Sequence, residues 1–359
     1  MAFAIGVTLT FLTVRSIIRT FVLPRSAADW LTRKIFRTSR KIFDLALKIR
    51  GGDTYEVIDG TMAYYAPVTL LTVPIVYLAL IDIAFTLIFW AVGVENWWEA
   101  FSLSGSSLVT LGFVPAETIP QRMIAVTEAG LALIMVAVLV AYLPNMYTSF
   151  QRREATVSLL EVRAGNPPWC VTMIIRYSRI RGLEQLDTEW PGFEVWFTEI
   201  EESHTSLAAL VFFRSPKPTR SWVTTAGTIL DCAALRASTL DMPREPTAEL
   251  CLRAGYLALR SIADFFRIPY DANPNPTDPI SISREEFEDA YDQLVEAGVP
   301  VKPDRDQCWR DFAGWRVNYD TVLLTLANLT IAPIAPWTSD RGPIKEAQWF
   351  TAPKPDDTL

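Results

Sequence analysis

Residues 94–122 read VENWWEAFSLSGSSLVTLGFVPAETIPQR, and the fold turns on how this stretch is read. Its middle is too apolar for a loop in water and too short for a pair of membrane-crossing helices. Trp97 and Trp98 suit the aromatic belt at a membrane–water boundary. From Trp98 to Val109 there is room for a helix of about 18 Å, at about 1.5 Å per residue. Such a helix enters a bilayer and stops partway. Non-helical backbone at that depth persists only where protein buries it or where it lines a watery cavity.

The flanks supply the bilayer. Its hydrocarbon core is about 30 Å thick, so a crossing helix takes about 20 mostly apolar residues. Ala66–Gly93 meets this with Asp82 as its only charge, and Ala129–Phe150 with none. Ala2–Leu23 is a weaker span, because Arg15 and Arg19 interrupt its second half. Both lie near one end, where long side chains reach the headgroups. The basic residues follow the apolar run rather than precede it, which disfavours a cleaved signal peptide.

Between the first two spans lie Arg25, Arg33, Lys34, Arg37, Arg40, Lys41, Lys48 and Arg50, opposed by Asp29, Asp44, Asp53, Glu56 and Asp59. Arg152 and Arg153 follow the third span. The positive-inside rule puts both stretches in the cytoplasm, with the N-terminus outside and a large C-terminal part inside. A headgroup- or nucleic-acid-binding role would also use such a stretch, but topology accounts for it. The net charge of −7 comes mostly from the second half, so no nucleic-acid partner is expected.

Thr110-Leu111-Gly112-Phe113, preceded by Ser104-Gly105-Ser106-Ser107, resembles the pore helix and filter start of potassium-channel-family proteins, where T-V-G-Y-G or T-L-G-F-G-D lines the conduction path. The resemblance covers roughly residues 66–153. It extends to a bacterial group with an extra N-terminal span through Tyr142-Leu143-Pro144, residues 150–154 and residues 163–168. Phe213-Arg214-Ser215-Pro216 and Arg220-Ser221-Trp222 are similar to the same group, and bring no known ligand. The resemblance implies that Thr110 offers its hydroxyl and carbonyl, and that Leu111, Gly112 and Phe113 offer carbonyls with the Phe113 ring packed behind. Such carbonyls replace the water around a bare cation, and glycine lets them point inward.

The sequence departs from that pattern at Val114 and Pro115, where the family has glycine and aspartate. A β-branched residue resists positive φ, and proline confines Val114 to extended backbone. Fewer well-formed ion sites imply weak preference for potassium over sodium. Ser106, Ser107 and Glu128 are expected to support the filter, with Glu128 reaching Ser106 or Ser107 from inside the third span; the alternative is that Glu128 faces the pore. Asp82 has Arg15 or Arg19 as possible partners. Glu95, Glu99 and Glu117 flank the outer mouth, where fourfold repetition makes acidic rings. Leu139, Leu143, Pro144 and Tyr147 are candidates for an inner hydrophobic gate, Pro144 either bending or ending the third span.

After Pro167-Pro168 the apolar spacing is helical near 183–200, 204–213, 221–240, 246–267, 283–297 and 303–331, with a capping box at Ser283 and Glu286. The tail from Pro333 reads as loosely ordered. Cys170, Cys232, Cys251 and Cys308 lack metal or redox spacing and should be reduced and buried. His204, the sole histidine, reads as a packing residue more readily than as a metal or proton sensor. No nucleotide-binding glycine fingerprint or nucleophile–base constellation occurs, so no enzyme and no cofactor beyond permeant ions is expected.

The expected protein is an all-α membrane protein of the inner (plasma) membrane. Residues 1–24 form a span, 25–65 a basic linker, 66–153 a pore module, 154–332 a helical cytoplasmic domain and 333–359 a proline-rich tail. It is read as a homotetrameric monovalent-cation channel, since one chain supplies one pore loop and a closed ring needs four. The lipid bilayer is its other partner, and any cytoplasmic ligand is unreadable. The alternative is a non-conducting membrane-anchored scaffold or sensor.

Overall fold

A computed structural model describes residues 1–23, 29–51, 54–180 and 182–341. Among them every extended element is helical, and the one β feature is an isolated antiparallel bridge between Leu240 and Val301. Arg25, Asp53 and the tail beyond Arg341 lie outside the described residues. Three stretches are long and apolar enough to cross a membrane: Ala2–Phe21, Tyr55–Ala91 and Ile119–Ala164. The chain divides into two compact units, residues 1–150 with 206–213, and residues 151–205 with 214 onward.

The first unit contains α1 (Ala2–Phe21), α2 (Trp30–Arg50), α3 (Tyr55–Met62), α4 (Tyr65–Ala91), α5 (Trp97–Leu108) and most of α6 (Ile119–Ala164). In α1 the Thr8, Thr10 and Thr13 hydroxyls donate to carbonyls one turn back, so the span carries no orphaned hydroxyl there. The helix comes close to α4 at Gly6, where a Cβ would sit 2.6 Å from the Ala84 carbonyl oxygen. Only glycine allows that crossing. Further along, the Tyr77 hydroxyl of α4 lies 2.8 Å from Ser16, 3.0 Å from Thr20 and 2.8 Å from Thr32, so one phenol ties α1, α2 and α4 together.

The basic segment read as a linker in fact contains two helices. Asp29 caps α2 by accepting from the Leu31 amide at 3.0 Å, and Gly51 closes it in the left-handed conformation. Thr32 meets Tyr77, Ser39 meets Thr69 at 2.6 Å, and Phe43 meets Tyr65, so α2 runs antiparallel along the first half of α4. Pro144 neither ends nor interrupts α6, which continues to Ala164. A proline removes one hydrogen bond from the ladder.

The second unit takes up the remainder of α6 and adds α7 (Cys170–Ile180), α8 (Leu183–Asp187), α9 (Trp190–Ser206), α10 (Trp222–Ser238), α11 (Pro246–Phe266), α12 (Arg284–Glu296), α13 (Arg305–Arg316) and α14 (Asp320–Thr330). Every residue of α10 except Ala237 is buried, which makes it the core helix. α11 approaches it at Gly255, where a Cβ would come 2.5 Å from Leu230 Cδ2. The expected capping box opens α12, with Ser283 and Glu286 exchanging backbone contacts. All four cysteines are buried and unpaired.

Several expectations for this half need correction. The stretch 303–331 is two helices, because residues 317–319 turn between α13 and α14. α7 was not expected. Residues 204–213 do not form one α-helix: α9 ends at Ser206 and Ala208–Phe212 is a 3-10 turn. This turn belongs to the first unit, where Ala209 and Leu210 pack with Leu70, Tyr142 and Met146. Nor is the described part of the tail loose. Ala335, Trp337 and Thr338 are buried, and the Trp337 ring meets Phe312.

His204 is fully buried beside the Trp222 ring. Arg153 Nη1 lies 3.4 Å from Nε2, so Nε2 accepts and Nδ1 carries the proton, 3.0 Å from the Ile200 carbonyl. Burial, and then the Arg153 charge, hold its pKa well below the ordinary 6.5. The folded state therefore excludes a proton that the unfolded chain takes up. Stability is complete above about pH 6.5 and should fall below it by up to about 1.4 kcal/mol per pH unit. Unfolding of His204→Asn across that range should remove this slope, and an unchanged slope would refute the assignment.

Candidate functional site

The site begins with why α5 is short. Asn96 caps it, its side-chain oxygen accepting from the Trp98 amide at 3.0 Å. One face buries Ala100, Leu103 and Ser104 in the cluster built around Tyr77, Ile81 and Phe85 of α4. The helix then stops after 12 residues, at Leu108. Ser106 is the reason the chain turns there. Its carbonyl accepts from the amides of Leu111 at 2.9 Å and Gly112 at 3.3 Å, and its hydroxyl accepts from the Val114 amide at 3.2 Å. One serine thus anchors the loop at Leu111, Gly112 and Val114.

The backbone is left-handed at Thr110 (φ 56°) and Gly112 (φ 68°). A Cβ at Gly112 would meet nothing within 4 Å, so the demand for glycine is conformational and not steric crowding. Thr110 is a β-branched residue at positive φ, a strained arrangement for its type. Val114 is not among the left-handed residues, as its side chain requires. It is half-buried against the α4–α5 cluster.

Other expected site residues fall as follows. Ser107 meets the loop through its backbone, its carbonyl accepting from the Thr110 amide at 3.0 Å, while its hydroxyl bonds back to the Leu103 carbonyl at 2.9 Å. The Phe113 ring is not packed behind the loop within one chain. It is 64% exposed and Leu111 is 68% exposed. Glu95, Glu99 and Glu117 are exposed near the two ends of the α5 segment, with the Glu117 and Thr118 amides donating to Gln121. Leu139 and Leu143 are half-buried, while Pro144 and Tyr147 are exposed and Tyr147 stacks on Phe150.

Glu128 is fully buried, and its partner is Ser104 rather than Ser106 or Ser107. The Ser104 hydroxyl lies 2.5 Å from Glu128 Oε1 and 3.0 Å from the Asp82 carbonyl, so it joins α4, α5 and α6. Among the described residues Asp82 makes no ion pair with Arg15 or Arg19, and its Oδ1 is buried without a hydrogen-bond partner. Sequence reasoning passed over Ser104 because three serines within four positions offer equal chemistry, and helical register alone decides which faces Glu128. Glu128→Ala should cost about 1–3 kcal/mol by stranding buried polar groups. Glu128→Gln keeps the hydrogen bond and should melt close to wild type; equal losses in both would contradict a bracing role.

Compared with family models, curated proteins and solved structures, the chain matches none.

Proposed function

We propose that this protein is a homotetrameric channel for monovalent cations, with the loop at 110–114 as its filter. The observation that carries this reading is the half-length helix α5, followed by a loop hooked onto Ser106, between two helices able to cross a membrane. Left-handed φ at alternate residues turns successive carbonyls of an extended chain toward one side, the arrangement that can replace a cation's hydration shell. Leu111 and Phe113, and on α6 Met123, Val126, Leu133, Val140 and Tyr147, are exposed large apolar residues in a single chain. Neighbouring copies around a fourfold axis would cover part of that surface.

Potassium and sodium are the permeant ions. The outer acidic residues Glu95, Glu99 and Glu117 raise local cation concentration, and Leu139, Leu143, Pro144 and Tyr147 line the inner constriction. The Val114 amide is already engaged by Ser106, and Pro115 holds the chain extended beyond it. Selection between potassium and sodium is therefore weak. The basic stretches put α2 and the second unit on the cytoplasmic side of the inner membrane. Residues 206–213 belong with the first unit, where Ala209 and Leu210 pack against Tyr142 and Met146 of α6. Planar-bilayer recording of the purified chain in mixed potassium and sodium tests the reading. Currents with a permeability ratio near one are expected. Strong potassium selectivity would overturn the filter argument, and silence would leave a membrane-anchored scaffold.

A further inference from the structure

We infer that the second unit binds a phosphate group at the N-terminus of α10, in a cleft that the Thr225 hydroxyl lines. This rests on neither the topology nor the conduction proposed above. The cleft holds about 210 Å³ of empty space and opens to solvent. Pockets that enclose a drug-sized ligand run to roughly 300–1,000 Å³, so this one takes a small group. Its lining comes from the end of α6, the connection to α7, and the segment that leads into α10.

The first observation is an unused hydroxyl. Thr225 is only 2% exposed and lines the cleft, and among the described residues its hydroxyl makes no hydrogen bond. Its neighbours differ. The Ser221 hydroxyl caps α10 by accepting from the Val223 amide at 3.2 Å. The Thr224 and Thr228 hydroxyls donate to the carbonyls of Ser221 and Pro168. A nearly buried hydroxyl without a partner forgoes a hydrogen bond, and an oxygen acceptor entering the cleft supplies it.

The second observation is charge. α10 is 17 residues long, and its first turn puts partial positive charge on the cleft. Beside it Glu161 takes two cations at once. Lys217 Nζ lies 3.4 Å from Oε1, and the Arg220 guanidinium donates to Oε2. Both carboxylate oxygens are therefore engaged, which disfavours a metal ion, and the trio keeps one positive charge. Asn166 adds a side-chain amide that donates to the Thr219 hydroxyl at 2.7 Å and has a second N–H to offer. A dianion gains from the residual charge and the helix dipole together. That favours phosphate over a carboxylate.

The test is equilibrium dialysis of the detergent-solubilised full chain against radiolabelled inorganic phosphate at pH 8, with ionic strength fixed by chloride. Wild type should bind one phosphate per chain, saturably. Thr225→Val is nearly isosteric and should weaken binding by about tenfold, the scale for a hydrogen bond to a charged group. Thr225→Ser should keep it, and so should Arg244→Gln, which removes an exposed cation outside the cleft. In wild type, saturating phosphate should also slow amide exchange across residues 219–225. Tighter retention of glycerol 3-phosphate than of inorganic phosphate would assign the site to a phosphate ester, and the reverse to the free ion; both sustain the proposal. No saturable binding by wild type, exchange at 219–225 that phosphate leaves unchanged, or full affinity in Thr225→Val would overturn it. Displacement by equimolar acetate would do so too, since the charge argument requires a dianion.

Discussion

Gly112→Val should abolish cation flux through reconstituted vesicles, by at least about tenfold, without changing the mass of the solubilised complex. The added side chain has open space around it, so crowding is not the cause. The backbone at φ 68° is the cause, since a β-branched residue there is an outlier. Relaxation of φ would swing the 112 carbonyl away from its neighbours and pull the Leu111 and Gly112 amides off the Ser106 carbonyl. Gly112→Ala should be milder, because alanine tolerates the left-handed region at a cost of about 1 kcal/mol. Flux that survives the valine substitution would remove this loop from the conduction path.

The second large effect belongs to the core of the other unit. Arg316 is fully buried and donates to Asp231 at 2.5 Å, to Asp320 at 2.8 Å and to the Trp337 carbonyl at 2.6 Å. Tyr319 donates to the same Asp231 oxygen at 2.8 Å. Burial works against the guanidinium charge, but Asp231 and Asp320 more than offset it and push the Arg316 pKa up. Asp231→Ala leaves a buried cation short of its counter-ion and should cost about 3–5 kcal/mol. For a unit of this size that corresponds to a melting temperature lower by about 10 °C. Asp231→Leu with Arg316→Met should recover most of the loss, since an apolar pair of similar volume replaces the ions. A double variant no more stable than Asp231→Ala would mean that the network shapes the core beyond its charges.

The spans were legible because their signal is a long run of apolar residues, which local context does not alter. The half-helix was legible for a related reason: Asn96, two tryptophans and a serine-rich turn leave few other conformations. What escaped the sequence depended on tertiary partners. α2 reads as a basic linker until Tyr77 and Thr69 supply hydrogen bonds for Thr32 and Ser39. The residues around Trp337 have a loop's composition, and their order comes from tertiary partners: the Trp337 ring meets Phe312 and its carbonyl accepts from Arg316. Leu210 belongs by chain position with the helices around α9 and α10, yet its packing partners are Tyr142 and Met146. Of the serines at 104, 106 and 107 in α5, only helical phase distinguishes Ser104 as the residue facing Glu128 and Ser106 as the one whose hydroxyl holds the loop.

A cryo-electron microscopy reconstruction of the full chain in lipid nanodiscs addresses the central claim most directly. The account predicts a fourfold axis passing between four copies of residues 110–114, with the carbonyls of Thr110 to Phe113 turned toward it. Fewer copies, or a loop facing lipid or bulk water with no passage at the centre, would contradict it.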